Sequence, residues 1–121
     1  TVLDEQGIEK LKRKVRFLND FENLIDEFLA YCERRGITER TLNKYYDALI
    51  FFKDFLAGEG ELIDINQIKI AHVKKFLKWS ERKILNYSLR MREEHLIALR
   101  KFFRYLYENG HTKNKLTLKL V

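Results

Sequence analysis

Proline, cysteine and long apolar runs are scarce or missing in this sequence. None of the 121 residues is proline, so the residue that most often interrupts a helix is absent. Cys32 is the single cysteine, which excludes an internal disulfide and fits a buried thiol in a reducing compartment. A membrane span needs about 20 apolar residues and a signal peptide needs an apolar core, and the sequence shows neither. We therefore expect a cytoplasmic location and no membrane partner.

Patterns of catalytic and metal-binding residues are also missing. His72, His95 and His111 are far apart, and no cysteine or second histidine stands near them at a metal-ligand spacing. The sequence contains neither a glycine-rich loop that could cradle a phosphate nor a nucleophile elbow. We therefore expect no cofactor, no metal, no small-molecule ligand and no catalytic residue in this chain.

What the sequence does contain is a large apolar core and an uneven charge. Hydrophobic residues make up 45% of the chain and include nine Phe and six Tyr, which is enough for one folded domain. Residues 17–66 carry 5 basic and 11 acidic side chains, whereas residues 67–121 carry 14 basic and 4 acidic ones. Because the second half is strongly basic, a nucleic acid or another acidic surface is the expected partner.

The clearest helix pattern lies between Ser88 and Gly110. Ser88 is suited to cap the first turn, and Gly110 is suited to the left-handed residue that follows a helix. The apolar positions recur at intervals of three and four, as on one face of a helix: Leu89, Leu96, Leu99, Phe102, Phe103 and Leu106. The opposite face is basic and carries Arg90, Arg92, Arg100, Lys101 and Arg104.

Similar patterns predict the other helices. A short basic helix is expected over 8–18, with Ile8, Leu11, Val15 and Leu18 on its apolar side. Its basic side chains are expected to face solvent. The first core helix is expected from a cap at Asn19 or Asp20 to Gly36. After a tight corner, Thr38 caps a second helix, Glu39 to Ala57. A third helix is expected from about Ile70 to Ser80.

Two other segments are not expected to be helical. Residues 62–65 alternate briefly between apolar and polar, but we expect an ordered loop that places apolar side chains in the core. After Gly110, Leu116, Leu118 and Leu120 alternate in an extended arm. The chain thus divides into a leading basic helix (1–18), a helical domain (19–113) and a linker arm (114–121), and the fold class is all-α.

Two predicted helix beginnings combine hydroxyls, amides and cations. Unpaired amides and the helix dipole both favour an anion at such a place. Arg and Asn can also read base edges in a DNA groove. The candidate DNA-binding residues are Thr38, Arg40, Thr41 and Lys44 at the first beginning, Lys83, Asn86, Tyr87, Ser88, Arg90 and Arg92 at the second, and Arg100 and Lys101 farther along. The alternative is that Thr38 and Ser88 only cap helices and that the cations only aid solubility.

A family resemblance rests on the second and last helices. The second reads Thr38-x-x-Thr41-Leu42-x-x-Tyr45-x-x-x-Leu49-x-x-Phe52-x-x-Phe55-Leu56. In the last, Ser88 is followed by His95-Leu96-Ile97-Ala98-Leu99-Arg100-Lys101-Phe102-Phe103-Arg104-Tyr105-Leu106 and then by Gly110. With the segment 65–77 between them, they resemble the N-terminal core-binding domain of the tyrosine recombinases, the phage integrase family.

The resemblance implies a fold and a function. The fold would be an orthogonal four-helix SAM-like bundle, here with an extra N-terminal helix and an extended C-terminal arm. The domain would clamp duplex DNA for site-specific recombination by a separate catalytic domain, to which the arm would lead. Its partners would be double-stranded DNA and other recombinase protomers. The domain itself would not be an enzyme.

Two other interpretations remain open at this point. The chain could be a helical protein-interaction module that self-associates through charge. Its seam would pair acidic residues of the first core helix with basic ones of the last: Asp26, Glu27 and Glu33 with Arg100, Lys101 and Arg104. It could also be a small helix-turn-helix regulator built on the corner at Gly36.

Overall fold

The structure is a computed structural model that describes residues 4–116, and the regular elements in this part of the chain are helical. They are α1 (Glu5–Arg34), α2 (Glu39–Ala57), a short 3₁₀ helix (Ile65–Gln67), α3 (Ile70–Lys83) and α4 (Leu89–Glu108). The predicted all-α fold is therefore confirmed. The bounds of α2 match the prediction, whereas α3 continues past Ser80 to Lys83.

The first helix differs from the prediction because it is continuous. Asp4 caps it, with its Oδ1 accepting a 2.7 Å bond from the amide of Gly7. The expected helix start at Asn19 or Asp20 is wrong, since both residues are exposed in mid-helix. The predicted extra N-terminal helix is thus the first part of α1. One buried stripe runs along α1 at intervals of three and four and consists of Lys14, Phe17, Phe21, Ile25, Phe28 and Cys32.

The apolar side that the sequence predicted for the first turns of α1 is exposed. Ile8, Leu11 and Val15 are 42%, 54% and 49% exposed, so this side of the helix is not buried in the core. Leu18 alone of this set packs partly against the core. Leu89, expected on the core face of α4, is also exposed, because it lies at the first residue of the helix, beyond the edge of the packed region.

Lys14 is a buried lysine that joins α1 to the end of α2. Its Nζ donates hydrogen bonds to the carbonyls of Leu56 (2.6 Å), Glu59 (2.6 Å) and Leu62 (2.7 Å). Three acceptors match the three donors of an ammonium group, and a cation is favourable at a helix C-terminus. Burial lowers the pKa of Lys14, and the charge of Glu59 opposes that shift. The prediction that the cations of residues 8–18 are all solvated is therefore wrong for Lys14, which is buried.

The predicted helix ends at Gly36 and Gly110 share one geometry. Gly36 has φ +84° and Gly110 has φ +75°, the left-handed region that favours glycine. The residue after each glycine bonds back into the helix, Ile37 to the carbonyl of Cys32 (3.1 Å) and His111 to that of Leu106 (2.8 Å). Both α1 and α4 therefore end in a Schellman motif.

Phenylalanine rings fill the centre of the bundle. Phe102 of α4 meets Phe21 and Phe28 of α1 edge-on, at ring-centroid distances of 5.4 and 5.5 Å. Phe52 of α2 meets Phe76 of α3 in the same way at 5.0 Å. Edge-to-face pairs of this kind add about 0.5–1.5 kcal/mol each to the burial of the rings. These rings therefore fix all four helices against one another.

The non-helical segments are tied to the core as well. Leu62 is buried, as expected for the loop after α2, and so is Ile68. Ile65, expected in the same loop, instead begins the 3₁₀ helix. Asn66 fastens the residues that lead into the arm, since its Oδ1 accepts bonds from the Thr112 hydroxyl (3.0 Å) and the Lys113 amide (2.7 Å). Residues 111–116, which include the first part of the arm, are non-helical, while Leu118 and Leu120 lie outside the described residues.

Replacing Lys14 by methionine should destabilise the protein. The variant Lys14→Met keeps the apolar stem but leaves three carbonyls without their donor, so we expect a loss of about 2 kcal/mol in the free energy of unfolding. Urea denaturation measures it. Lys12→Met, at an exposed position of the same helix, should change stability by less than about 0.5 kcal/mol. Equal effects of the two variants would show that the carbonyl contacts contribute nothing.

Candidate nucleic-acid interface

The beginning of α2 presents hydroxyls and cations to solvent. Thr38 is the N-cap, and its Oγ1 accepts a 3.3 Å bond from the amide of Thr41. The hydroxyl of Thr38 also donates a 3.1 Å bond to that of Thr41. Arg40 is exposed in the first turn, and Lys44 follows one turn later with its side chain 43% exposed. Backbone amides, hydroxyls and cations therefore lie together at this end.

The beginning of α4 has the same composition. Ser88 is the N-cap and accepts a 3.1 Å bond from the amide of Met91. The side chain of Arg90 is 80% exposed, and Arg92 is partly buried. Asn86, two residues before the cap, has φ +59°, a conformation that asparagine tolerates better than most residues. Both predicted caps are therefore confirmed.

Glu94 links the two beginnings. Its Oε1 lies 3.5 Å from Nζ of Lys44 on α2 and 3.5 Å from Nε of Arg90 on its own helix. Since Lys44 and Glu94 each lie in the second turn of their helices, the first turns of α2 and α4 are neighbours in space. Exposed pairs are worth only about 0.2–1 kcal/mol, so both cations remain able to exchange Glu94 for another anion.

The crossing of α2 and α4 explains why these ends meet. Beyond the Lys44–Glu94 contact, Tyr45 lies under Nζ of Lys101 at 5.5 Å, and Phe52 meets Phe103 at 6.0 Å. Two small residues of the same core, Ala48 on α2 and Ala98 on α4, are 3% and 0% exposed. The helix beginnings are therefore placed by the core and not by the surface charges.

The remaining candidate residues are spread more widely. Lys101 adjoins the interface through Tyr45, whereas Arg100 lies on the side of α4 that borders Lys115 and Leu116 of the arm. Lys83, at the end of α3, extends over the ring of Trp79 with its Nζ 5.9 Å from the centroid. The structure therefore brings Lys101 next to the second turn of α2 but leaves Arg100 on another side of α4.

Tyr87 is engaged internally. Its hydroxyl is 2.7 Å from Nδ1 of His95, and the His95 ring lies 5.7 Å from Phe51 and 5.6 Å from Phe76. Burial raises the pKa of Tyr87 and lowers that of His95, where Glu94 opposes the shift. Tyr87 and His95 therefore anchor the α3–α4 connection to the core, a role that the sequence analysis did not find.

Carboxylates moderate the charge of this surface. Glu39 lies in the first turn of α2, and Glu93 and Glu94 lie near the start of α4. The excess of positive charge therefore depends also on Lys83 and Lys101, at the edges of the two beginnings. The favourable site for an anion is where the helix dipoles and cations act together.

The other two histidines have structural partners. Nδ1 of His72 accepts a 2.9 Å bond from the amide of Lys69 at the start of α3. Nε2 of His111 lies 2.6 Å from Oε2 of Glu27, which also accepts a 2.9 Å bond from the Tyr105 hydroxyl. These contacts lower the pKa of Glu27, and burial together with Glu27 raises the pKa of Tyr105 to about 12. Glu27 therefore ties α1 to the end of α4.

Neither a metal site nor a membrane span was found over residues 4–116. No group of three or more His, Cys, Asp or Glu side chains in this range is arranged to hold a metal ion. No described helix is both long enough and apolar enough to cross a membrane.

The fold and the two adjoining helix beginnings define a small helical domain with a surface suited to anions. A profile of the family described as phage integrase, N-terminal SAM-like domain, matches residues 25–110. The chain therefore belongs to this family, and the resemblance found in the sequence is confirmed. In integrases this domain is the non-catalytic one. Neither a characterised protein nor a solved structure gave a significant match to the chain.

His95, which anchors the connection between α3 and α4 through Tyr87, leads us to predict that stability depends on pH. Because burial lowers the pKa of His95 below 6.5, the unfolded chain takes up a proton before the folded one as the pH falls. Stability should therefore decline as the pH drops below about 6.5, toward the lowered pKa. His95→Gln, which cannot titrate, should show a weaker decline in melting temperature between pH 7.5 and 5. An identical decline in the two proteins would contradict this role.

Proposed function

We propose that this chain is a DNA-binding, core-binding domain of a site-specific tyrosine recombinase. It clamps one side of duplex DNA, while a separate catalytic domain cuts and rejoins the strands. The observation that carries the proposal is the contact of Glu94 with both Lys44 and Arg90, which makes two distant parts of the sequence one surface. Family membership supports it independently.

The proposed contacts are mainly to phosphates. The cap hydroxyls of Thr38 and Ser88 accept bonds from the amides of Thr41 and Met91. The amides that precede these two in the first turns of α2 and α4 have no partner within their helices, and the dipoles favour negative charge there. Arg40, Lys44, Arg90 and Arg92 add cations to these amides, and Thr41 adds a hydroxyl. Contacts of this kind fix the position of a protein on a duplex without reading its sequence.

Glu94 has a specific role in this proposal. In the free protein the Glu94 carboxylate lies 3.5 Å from the Lys44 side chain and 3.5 Å from the Arg90 side chain. It therefore keeps the two cations close together before DNA binds. On binding, phosphate oxygens take the place of the carboxylate. Since the exposed pairs are weak, their exchange costs little.

Lys83, Asn86 and Lys101 are proposed to lie at the edges of the same contact. The hydroxyl of Tyr87 faces His95, so we assign that residue to support of the loop. The proposed partners are double-stranded DNA and other protomers bound to it. The predicted cytoplasmic location stays a prediction.

The self-association module is less well supported. Of the charges in its proposed seam, Glu27 already bonds Tyr105 and His111 of its own chain, and Arg104 lies 3.2 Å from Glu108. These groups would have to give up internal contacts in order to pair between molecules.

Binding of the chain to DNA should depend strongly on salt. If about 4 to 6 phosphates are contacted, the slope of log K against log salt concentration should be near −4 to −5. Fluorescence anisotropy of a labelled duplex of mixed sequence at several salt concentrations gives this slope. Tight binding that is insensitive to salt, or no binding at low salt, would contradict the proposal.

Removal of one cation from each beginning should weaken binding without affecting the fold. Arg40→Ala and Arg90→Ala should each reduce the size of the slope by about 1 and shift the melting temperature by less than about 2–4 °C.

Lys12→Ala is a suitable control for these variants. The Lys10–Glu61 pair of 3.1 Å places the first part of α1 near the C-terminal end of α2. With a rise of about 1.5 Å per residue, that end is roughly 28 Å from the beginning of α2. Equal losses in Lys12→Ala and the two arginine variants would show that the cations act only through net charge.

A further inference from the structure

The two most exposed large apolar side chains in the described part of the protein lie next to the same helix beginning. Leu85 is 90% exposed and Leu89 is 76% exposed, whereas the next value, for Leu11, is 54%. Leu85 comes three residues before the cap Ser88, and Leu89 directly follows it. Single exposed leucines are ordinary on protein surfaces, but two at such exposure within one short segment indicate a contact surface.

The backbone between the two leucines is held firmly. Asn86 adopts a left-handed conformation with φ +59°, and Tyr87 is anchored by the 2.7 Å contact of its hydroxyl with His95. Ser88 then caps α4 through its bond to the Met91 amide. Because these residues fix the segment from both sides, Leu85 and Leu89 are presented to solvent by the fold itself.

The neighbours of this pair indicate what it contacts. Lys83 precedes Leu85 by two residues, and Arg90 and Arg92 follow Leu89 within the first turn of α4. A protein interface is usually depleted of charge at its apolar centre. Apolar side chains beside arginines are typical of DNA readers, where cations hold the phosphates and apolar groups touch base edges such as the thymine methyl.

We propose that Leu85 and Leu89 enter a groove of the bound duplex and contact base edges there, with thymine methyl groups as the preferred target. This inference rests on the proposed DNA-binding function and adds to it the part of the surface that distinguishes one base from another. The cations at the two helix beginnings supply the part of the affinity that depends on salt. The leucines supply an apolar part of the affinity that is independent of salt.

Salt titration separates these two contributions. For the 121-residue chain with a thymine-containing duplex, Leu85→Ala and Leu89→Ala should each weaken binding by roughly three- to tenfold at every salt concentration. The slope against salt should stay as in the unmodified protein, because no counterion release is lost. Arg90→Ala should instead change the slope.

Leu11→Ala is the matched control, since Leu11 is the next most exposed leucine and lies in the first part of α1. It should leave both affinity and slope unchanged. The melting temperatures of all three leucine variants should remain close to that of the unmodified protein, because none of these side chains is buried.

A change in the DNA tests the preferred target. Replacing every thymine of the duplex by deoxyuridine removes only the methyl groups, and it should weaken binding of the unmodified protein by roughly two- to fivefold. The double variant Leu85→Ala, Leu89→Ala should bind the two duplexes equally.

The outcomes can be told apart. Salt-dependent binding with unchanged affinity in both leucine variants would overturn this inference and leave the proposed function standing, with a protein partner then the better occupant of the leucine pair. Leucine variants that bind more weakly but still distinguish the two duplexes would overturn the thymine assignment. Absence of salt-dependent binding in the unmodified protein would overturn both proposals.

Discussion

The crossing of α2 and α4 is the constraint on which the candidate interface depends. The two helices pack against each other through buried residues, and their second turns come together at Lys44 and Glu94. The charged pair is too exposed to hold the helices in place, so it reports their arrangement and does not cause it. The cause is the apolar packing beneath, in which the Phe52 and Phe103 rings lie 6.0 Å apart. The position of the candidate interface is therefore set by the core beneath it.

The opposite end of α2 is fixed by a different kind of interaction. There Lys14 of α1 donates to three carbonyls, a polar contact inside an otherwise apolar junction. Glu27 makes a similar tie between α1 and α4 through Tyr105 and His111. With the C-terminal ends of α2 and α4 held in this way, the exposed beginnings of the same two helices can carry cations without loss of the fold. The charges that serve binding are thus separate from those that serve stability.

Much of this arrangement could be predicted from the sequence. The caps Thr38 and Ser88 and the glycines at 36 and 110 have local chemical causes, and the structure confirms them. The continuity of α1 was missed because a lysine stands in its core stripe, and a charged residue is normally taken as exposed. Had Lys14 been included, the spacing to Phe17 and Phe21 would have shown a single helix. The contact of Glu94 with Lys44 could not be predicted, since it depends on a crossing between distant segments.

The central claim is that the beginnings of α2 and α4 bind one phosphate backbone together. The most direct measurement is an NMR titration of the labelled protein with a short duplex at low salt, following the amides of Arg40 and Thr41 on α2 and of Arg90 and Met91 on α4. We expect all four resonances to shift with a single common dissociation constant, while the amide resonances of the first turns of α1 do not shift. Shifts confined to one of the two beginnings, or the largest shifts on α1, would contradict the account.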